Sequence, residues 1–172
     1  MRRSSWTHSE LVDRAEDWVL AQRWPFGRWP VVITELTTAA GETPDVFGLG
    51  YTTMLVECKA TRSDFLADSD KPFRRNPEQG LGDLRYYFAP EGVIRVEELP
   101  ANWGLVEVHG KQNKKVALAV KQPKDDRLEM CLVASAFQRL NIPEGNHISA
   151  KFYRIQSKCR ATITVDDGEI PL

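Results

Sequence analysis

The chain reads as one α/β domain, and three observations predict it. An amphipathic helix spans residues 7–22, three strand-like runs follow it before residue 60, and short strands then lead to a second amphipathic helix at 128–140. No internal repeat, low-complexity tract or interdomain linker breaks the pattern, so residues 1–172 are expected to form a single domain. The expected core is about 7–120, and about 121–172 is expected to be a C-terminal extension of helix and strand.

The first helix rests on Leu11, Ala15, Trp18 and Gln22 along one line, with Val12 and Val19 beside it. Thr7 and Glu10 have capping-box spacing, and Pro25 sets the far limit. The β-branched run Val31–Leu36 predicts a strand, and Thr37–Thr43 a turn. Pro44–Leu49 begins a second strand, with Gly48 and Gly50 at its end. Thr53–Lys59 is the clearest strand of the chain. Ser63 or Asp64 is a candidate cap for a short helix through Asp68, whereas Phe73–Gly82 reads as irregular. Further strands are expected at Arg85–Ala89, Gly104–Val108 and Lys115–Val120. Pro90-Glu91-Gly92 signals a turn, and Val96–Leu99 one helical turn. The second helix carries a stripe of Leu132, Val133, Ala136, Phe137 and Leu140, and the tail from Ile148 to Val165 reads as one or two strands.

Hydrophobic residues make up 42% and charged residues 27%, ordinary values for a soluble globular protein. No apolar run approaches a bilayer span, and no apolar stretch follows the basic N-terminus, so a membrane segment or signal peptide is not expected. Cys58, Cys131 and Cys159 are widely spaced, which argues against a disulfide framework or zinc site and suits a reducing cytoplasm. The net charge of −1 argues against a surface built for bulk nucleic-acid binding. Locally, however, Lys151 to Arg160 holds four basic residues and no acid.

The chemistry is expected around the third strand. Side chains alternate across a strand, so Glu57 and Lys59 share a face opposite Val56 and Cys58. Taken alone, the pair fits an exposed strand end with a weak ion pair. A hairpin about Gly48–Tyr51 would add Asp45 to it. Two close carboxylates raise each other's pKa unless a cation lies between them, and oxygen ligands favour Mg²⁺ or Mn²⁺. Such an ion polarises a phosphoryl oxygen, and a neighbouring lysine offsets transition-state charge.

Pro44-Asp45, eleven residues, then Glu57-Cys58-Lys59 resembles the signature of the PD-(D/E)XK nuclease superfamily, as does the order helix, strand, strand, strand. The run Glu57 to Asp68, then Arg85-Tyr86-Tyr87, Pro90-Glu91-Gly92 and Trp103-Gly104-Leu105, resembles its MmcB-like branch and phage-borne relatives over roughly residues 8–108. The resemblance implies a restriction-endonuclease-like core, a mixed central sheet flanked by helices in α-β-β-β-α-β order. It implies a Mg²⁺- or Mn²⁺-dependent DNA endonuclease connected with DNA repair or phage biology. It also implies that Asp45, Glu57 and the Cys58 backbone carbonyl bind metal and that Lys59 is catalytic. Many members add an acid from the first helix or strand; the candidates are Glu35, which is preferred for its place beside the Asp45 strand, Glu10 and Glu16.

Arg62, Ser63, Lys71, Arg74, Arg75 and Arg85 are candidate phosphate contacts near the motif. In the tail, alternation sets Arg154, Lys158 and Arg160 on one face with Phe152, a candidate nucleic-acid surface or a protected edge. The short helix after the motif could hold a phosphate at its N-terminus, while Asp64 and Asp68 could instead fix Lys71 or Arg74. His8 is expected to be a packed, hydrogen-bonded histidine on the apolar side of the first helix. No GxGxxG, P-loop, HExxH or GxSxG pattern offers a competing chemistry, and no organic cofactor is expected. The rival readings are a nuclease-like fold that binds DNA without cutting it and a phage-type adaptor or inhibitor of a protein partner. A homodimer is compatible with either class.

Overall fold

In the computed structural model, residues 6–22, 29–37 and 42–139 are described. The elements are α1 (His8–Ala21), β1 (Val31–Thr34), β2 (Val46–Leu49), β3 (Met54–Cys58), α2 (Arg62–Asp68), α3 (Pro72–Arg75), β4 (Leu84–Pro90), β5 (Gly104–His109), β6 (Gln112–Ala117) and α4 (Asp126–Arg139). Short 3-10 turns at Pro77–Gln79 and Val96–Glu98 join them. The strands form one mixed sheet in the order β1-β2-β3-β4-β5-β6. The β3–β4 and β4–β5 pairs are parallel, and the others antiparallel. The α/β class and the α-β-β-β-α-β order expected from the sequence are therefore present.

Strand alternation gives the sheet two buried faces. On one face, Val46, Val56, Cys58, Tyr86 and Phe88 meet Leu11, Val12, Ala15, Trp18 and Val19 of α1. Trp18 packs edge-on to Tyr86 at 5.3 Å. Gly48 lets the helix approach: a Cβ there would lie 2.8 Å from Val19 Cγ1. This glycine is buried inside β2 and does not mark its end. On the other face, Phe47, Leu55, Tyr87 and Leu105 meet Phe65 of α2, Leu81, and Leu128 and Leu132 of α4.

Several boundaries differ from the sequence reading, each for a local reason. β1 stops at Thr34 because Glu35 turns left-handed (φ 48°), with its amide directed at the Pro44 and Asp45 carbonyls. α2 is capped by Thr61 and not by Ser63 or Asp64: Thr61 and Asp64 exchange side-chain and backbone bonds in a capping box. The segment read as irregular holds α3 and a 3-10 turn, each opened by a proline (Pro72, Pro77) whose fixed φ suits a first helical position. β6 begins at Gln112, because the Gly110 turn (φ 57°) sends the chain straight back along β5. α4 is part of the second face, and its stripe is only partly covered: Leu132 is fully buried, while Phe137, more than a turn further on, is 37% exposed. Leu140 and the expected tail strands lie outside the described residues.

Candidate functional site

The motif residues gather where β3 ends. Asp45 directly precedes β2, and the antiparallel register Val46↔Val56 makes it the next partner of Glu57. The Cys58 amide donates to Asp45 Oδ2 at 2.7 Å, which pins that carboxylate against the β3 backbone. Lys59 Nζ donates to Glu57 Oε2 at 2.9 Å, as expected of two residues on one face. Glu57 is 1% exposed and Lys59 7%, so the pair is recessed and not the exposed strand end that was the alternative.

The sequence reading missed how many charges lie behind this pair. Lys59 Nζ also donates to Asp68 Oδ1 at 3.0 Å. Asp68 accepts from Arg74 Nε at 2.6 Å and from the Tyr87 hydroxyl at 2.7 Å, and Lys71 Nζ is 2.7 Å from it. Arg74 Nη1 donates to Glu42 Oε1 at 2.9 Å, and the Leu81 amide to Glu42 Oε2 at 3.0 Å. The guanidinium lies over the rings of Phe73 and Trp103, and Trp103 stacks on Tyr87. Four carboxylates (Glu42, Asp45, Glu57, Asp68) thus share three cations (Lys59, Lys71, Arg74).

Burial and these neighbours together shift the proton affinities. Burial, and then the neighbouring Glu57 carboxylate, push the Asp45 carboxyl up to about 6. Burial also opposes ionisation of Asp68, yet Arg74, Lys59 and Lys71 hold it well below the usual carboxylate range. Burial works against the charge on Lys59, but Glu57 and Asp68 outweigh it and keep the ammonium above its ordinary value. Glu42 is raised by burial, which Arg74 only partly offsets.

Two features of the donor set suit a divalent cation. Glu57 Oε1 is buried without a hydrogen bond; Arg74 Nη2 lies 3.3 Å away but out of line to donate. Asp45 keeps Oδ1 clear of its bond to Cys58, and burial first, then the Glu57 carboxylate, raises its carboxyl. Oxygen donors of this kind fit Mg²⁺ or Mn²⁺. Among the described residues, however, no three His, Cys, Asp or Glu side chains are already gathered closely enough to hold an ion.

The other candidates fall out unevenly. Glu35 is exposed, beside Asp45 through its backbone and 3.7 Å from His8 Nε2. Glu10 closes the Thr7 capping box. Glu16 lies eight residues along α1 from His8, ~12 Å at the helical rise. His8 is not packed as expected: it starts α1, its side chain is 48% exposed, and Nε2 lies 3.4 Å from Asp45 Oδ1.

Of the candidate phosphate contacts, Lys71 is half-exposed beside Glu57, and Arg75 is exposed beside Asp70. Ser63 is exposed, its hydroxyl 2.9 Å from that of Thr61. Arg62 is paired with both oxygens of Glu98. Arg74 and Arg85 must be corrected. Arg74 is consumed by the buried acids. Arg85 is fully buried and donates to the carbonyls of Gly82, Pro77 and Pro123, so neither arginine is free to hold a phosphate. The N-terminus of α2 is no phosphate seat either, because Asp64 fills it with negative charge. Arg154, Lys158 and Arg160 lie outside the described residues.

Asp68 had one legible role, as a partner for Lys71 or Arg74, and the structure gives it both. Glu42 had none, since its partner Arg74 is 32 residues away.

No family model matches the chain, and no curated protein matches it. Among solved structures it is similar to the SPO1766 protein of unknown function from Silicibacter pomeroyi, with 27% identity, 70% of this chain and 85% of that chain covered, and a TM-score of 0.47. No helix among the described residues is long and apolar enough to cross a membrane.

Proposed function

We propose that the protein is a Mg²⁺- or Mn²⁺-dependent endodeoxyribonuclease of the PD-(D/E)XK type, in line with the MmcB-like resemblance of its motif. One observation carries the reading: the β2–β3 register brings Asp45 opposite Glu57, and Lys59 is anchored beside Glu57 on the same face. Asp45, Glu57 and the Cys58 carbonyl would hold the cation. When bound, that ion polarises a phosphoryl oxygen and makes a coordinated water more acidic.

The chain's own residues do the rest. Lys59 is held protonated by Glu57 and Asp68, so it serves as a fixed positive charge for the phosphorane-like transition state and not as a proton acceptor. Asp68 and Arg74 lock the angle of Lys59 and Glu57 from behind. Lys71, half-exposed beside Glu57, draws the phosphate inward.

The test is cleavage of plasmid, single-stranded and branched DNA with Mg²⁺ or Mn²⁺. Asp45→Asn and Lys59→Ala should each lower the rate by at least about a hundredfold, the scale on which transition-state electrostatic groups act. Full activity in either variant would remove these residues from the site.

A second reading has its own observation. Glu57 already has Lys59, Arg74 and Lys71 around it, an arrangement suited to a nuclease-like fold that binds DNA without cutting it. Calorimetry separates the two: an idle site takes up no Mn²⁺ while DNA binding persists.

A further inference from the structure

Arg74 stands between two buried glutamates and treats them differently. Its Nη1 donates to Glu42 Oε1 at 2.9 Å, whereas its Nη2 lies 3.3 Å from Glu57 Oε1 without donating to it. Nη2 donates instead to Asp68 Oδ1 at 3.2 Å, beside the bond from Nε to Asp68 Oδ2. The guanidinium is a rigid, planar fork, so anchoring Nε and Nη1 fixes where Nη2 points. Glu42 is itself anchored, because its other oxygen accepts from the Leu81 amide at 3.0 Å. Burial raises the Glu42 carboxyl, Arg74 lowers it and Glu57 raises it again, so the two glutamates act on one guanidinium. A small turn of the fork would give Glu57 Oε1 a charge-assisted bond from Arg74, among the stronger bonds a carboxylate can accept. The bond to Glu42 opposes that turn.

We propose that Glu42 is a positioning residue for Glu57: it holds the Arg74 fork to itself and so keeps Arg74 from capping the Glu57 carboxylate. The inference rests on the carboxylate cation site proposed above and adds to it a residue that touches neither cation nor DNA. Glu42 comes from the segment just before β2, three residues ahead of Asp45, so one short stretch supplies both a site carboxylate and the restraint on its partner. The competing account gives Glu42 only the task of neutralising a buried arginine, with no effect on Glu57.

The experiment uses the full-length protein and Mn²⁺ alone as probe, without DNA, and reads affinity by calorimetry. Glu42→Gln keeps the shape of the side chain and removes its charge. It should weaken Mn²⁺ binding about tenfold, the lower end of what losing a group behind a ligand costs. Arg74→Lys removes the fork, because a lysine has a single ammonium and no second arm to reach from Asp68 to a glutamate. In that background, adding Glu42→Gln should change Mn²⁺ affinity by less than about twofold, since the group through which Glu42 acts is gone. Glu42→Asp keeps the charge but withdraws it from Arg74; it should weaken binding in the same direction and serves if Glu42→Gln does not fold. Urea midpoints, taken alongside, separate lost stability from lost affinity of the folded protein.

Wild-type affinity in the folded Glu42 variants, even with a lowered urea midpoint, overturns the positioning role and leaves the carboxylate site standing. So does an equal loss from Glu42→Gln with and without the Arg74 fork, because the effect then does not pass through Arg74. Failure of the wild type to bind Mn²⁺, or binding that survives Asp45→Asn, overturns both this inference and the site beneath it.

Discussion

At the residue scale the informative contrast is between Asp45 and Asp68. Both are aspartates near the same lysine, yet one is pushed up to about 6 and the other held well below the carboxylate range. The difference lies in their neighbours: Asp68 has Arg74, Lys71 and Lys59 in contact, whereas Asp45 faces Glu57 across the hairpin. A carboxyl whose folded pKa exceeds its unfolded one binds more protons in the native state between those two values. Stability contributed by protonated Asp45 is therefore lost as pH rises from about 4 to about 6, and stays lost above that. Asp45→Asn cannot ionise and still offers an oxygen to the Cys58 amide. With a chelator present, the variant should gain stability relative to wild type across that window, on the order of 2 kcal/mol by pH 7. Urea midpoints from pH 4.5 to 7.5 check this, and a difference that does not change with pH would show that neither burial nor Glu57 raises the Asp45 carboxyl.

At the scale of elements, the site depends on how closely strands and helices approach. β4 and β5 run parallel with Tyr86 opposite Gly104. A Cβ on Gly104 would lie 2.2 Å from Tyr86 Cε1 and 2.7 Å from the Ala119 amide nitrogen. Both the ring and the backbone would have to shift, and Tyr86 packs on Trp18 of α1. Gly104→Ala should cost ~3 kcal/mol, the upper range for overpacking a close-packed core; a cost below about 1 kcal/mol in urea unfolding would mean the strands are less tightly seated. Elements whose signal is periodic are legible in the sequence. The 3.6-residue stripe and capping box mark α1, and the two-residue alternation of β3 is enough to put Glu57 and Lys59 on one face. α3 is not legible, because four residues opened by a proline carry no period. Nor is the Glu42–Arg74–Asp68 network, which exists only once the loop before β2 and the turn after α2 are folded against each other. His8 is misread for a related reason: helical angle fixes its side of α1 but not that Asp45 lies at the end of that face.

At the scale of the whole molecule, the question is where a polyanion would gain its binding energy. The net charge is −1, so overall attraction is absent and local cations must supply it. Near the motif, few are available: Arg74 and Arg85 are buried among acids and carbonyls, and Arg62 is paired with Glu98. Lys71 and Arg75 remain partly or fully exposed beside Asp68 and Asp70, which reduces their pull on a phosphate. The basic run from Lys151 to Arg160 is thus the strongest unbalanced positive charge in the sequence. If it contacts DNA phosphates, each neutralised phosphate adds about 0.9 to the slope of log affinity against log salt. Replacing Arg154, Lys158 and Arg160 together by serine in the full-length chain should flatten that slope by about 2 to 3. Arg85→Ala provides the contrast. It strips three carbonyls of a buried donor, so it should lower stability by ~2–3 kcal/mol while leaving the salt slope of the still-folded protein unchanged. Fluorescence anisotropy on a duplex and on a single strand, over a salt series, measures both. An unaltered slope in the triple variant would move the DNA-binding surface away from the C-terminal run and onto the exposed Lys71 and Arg75.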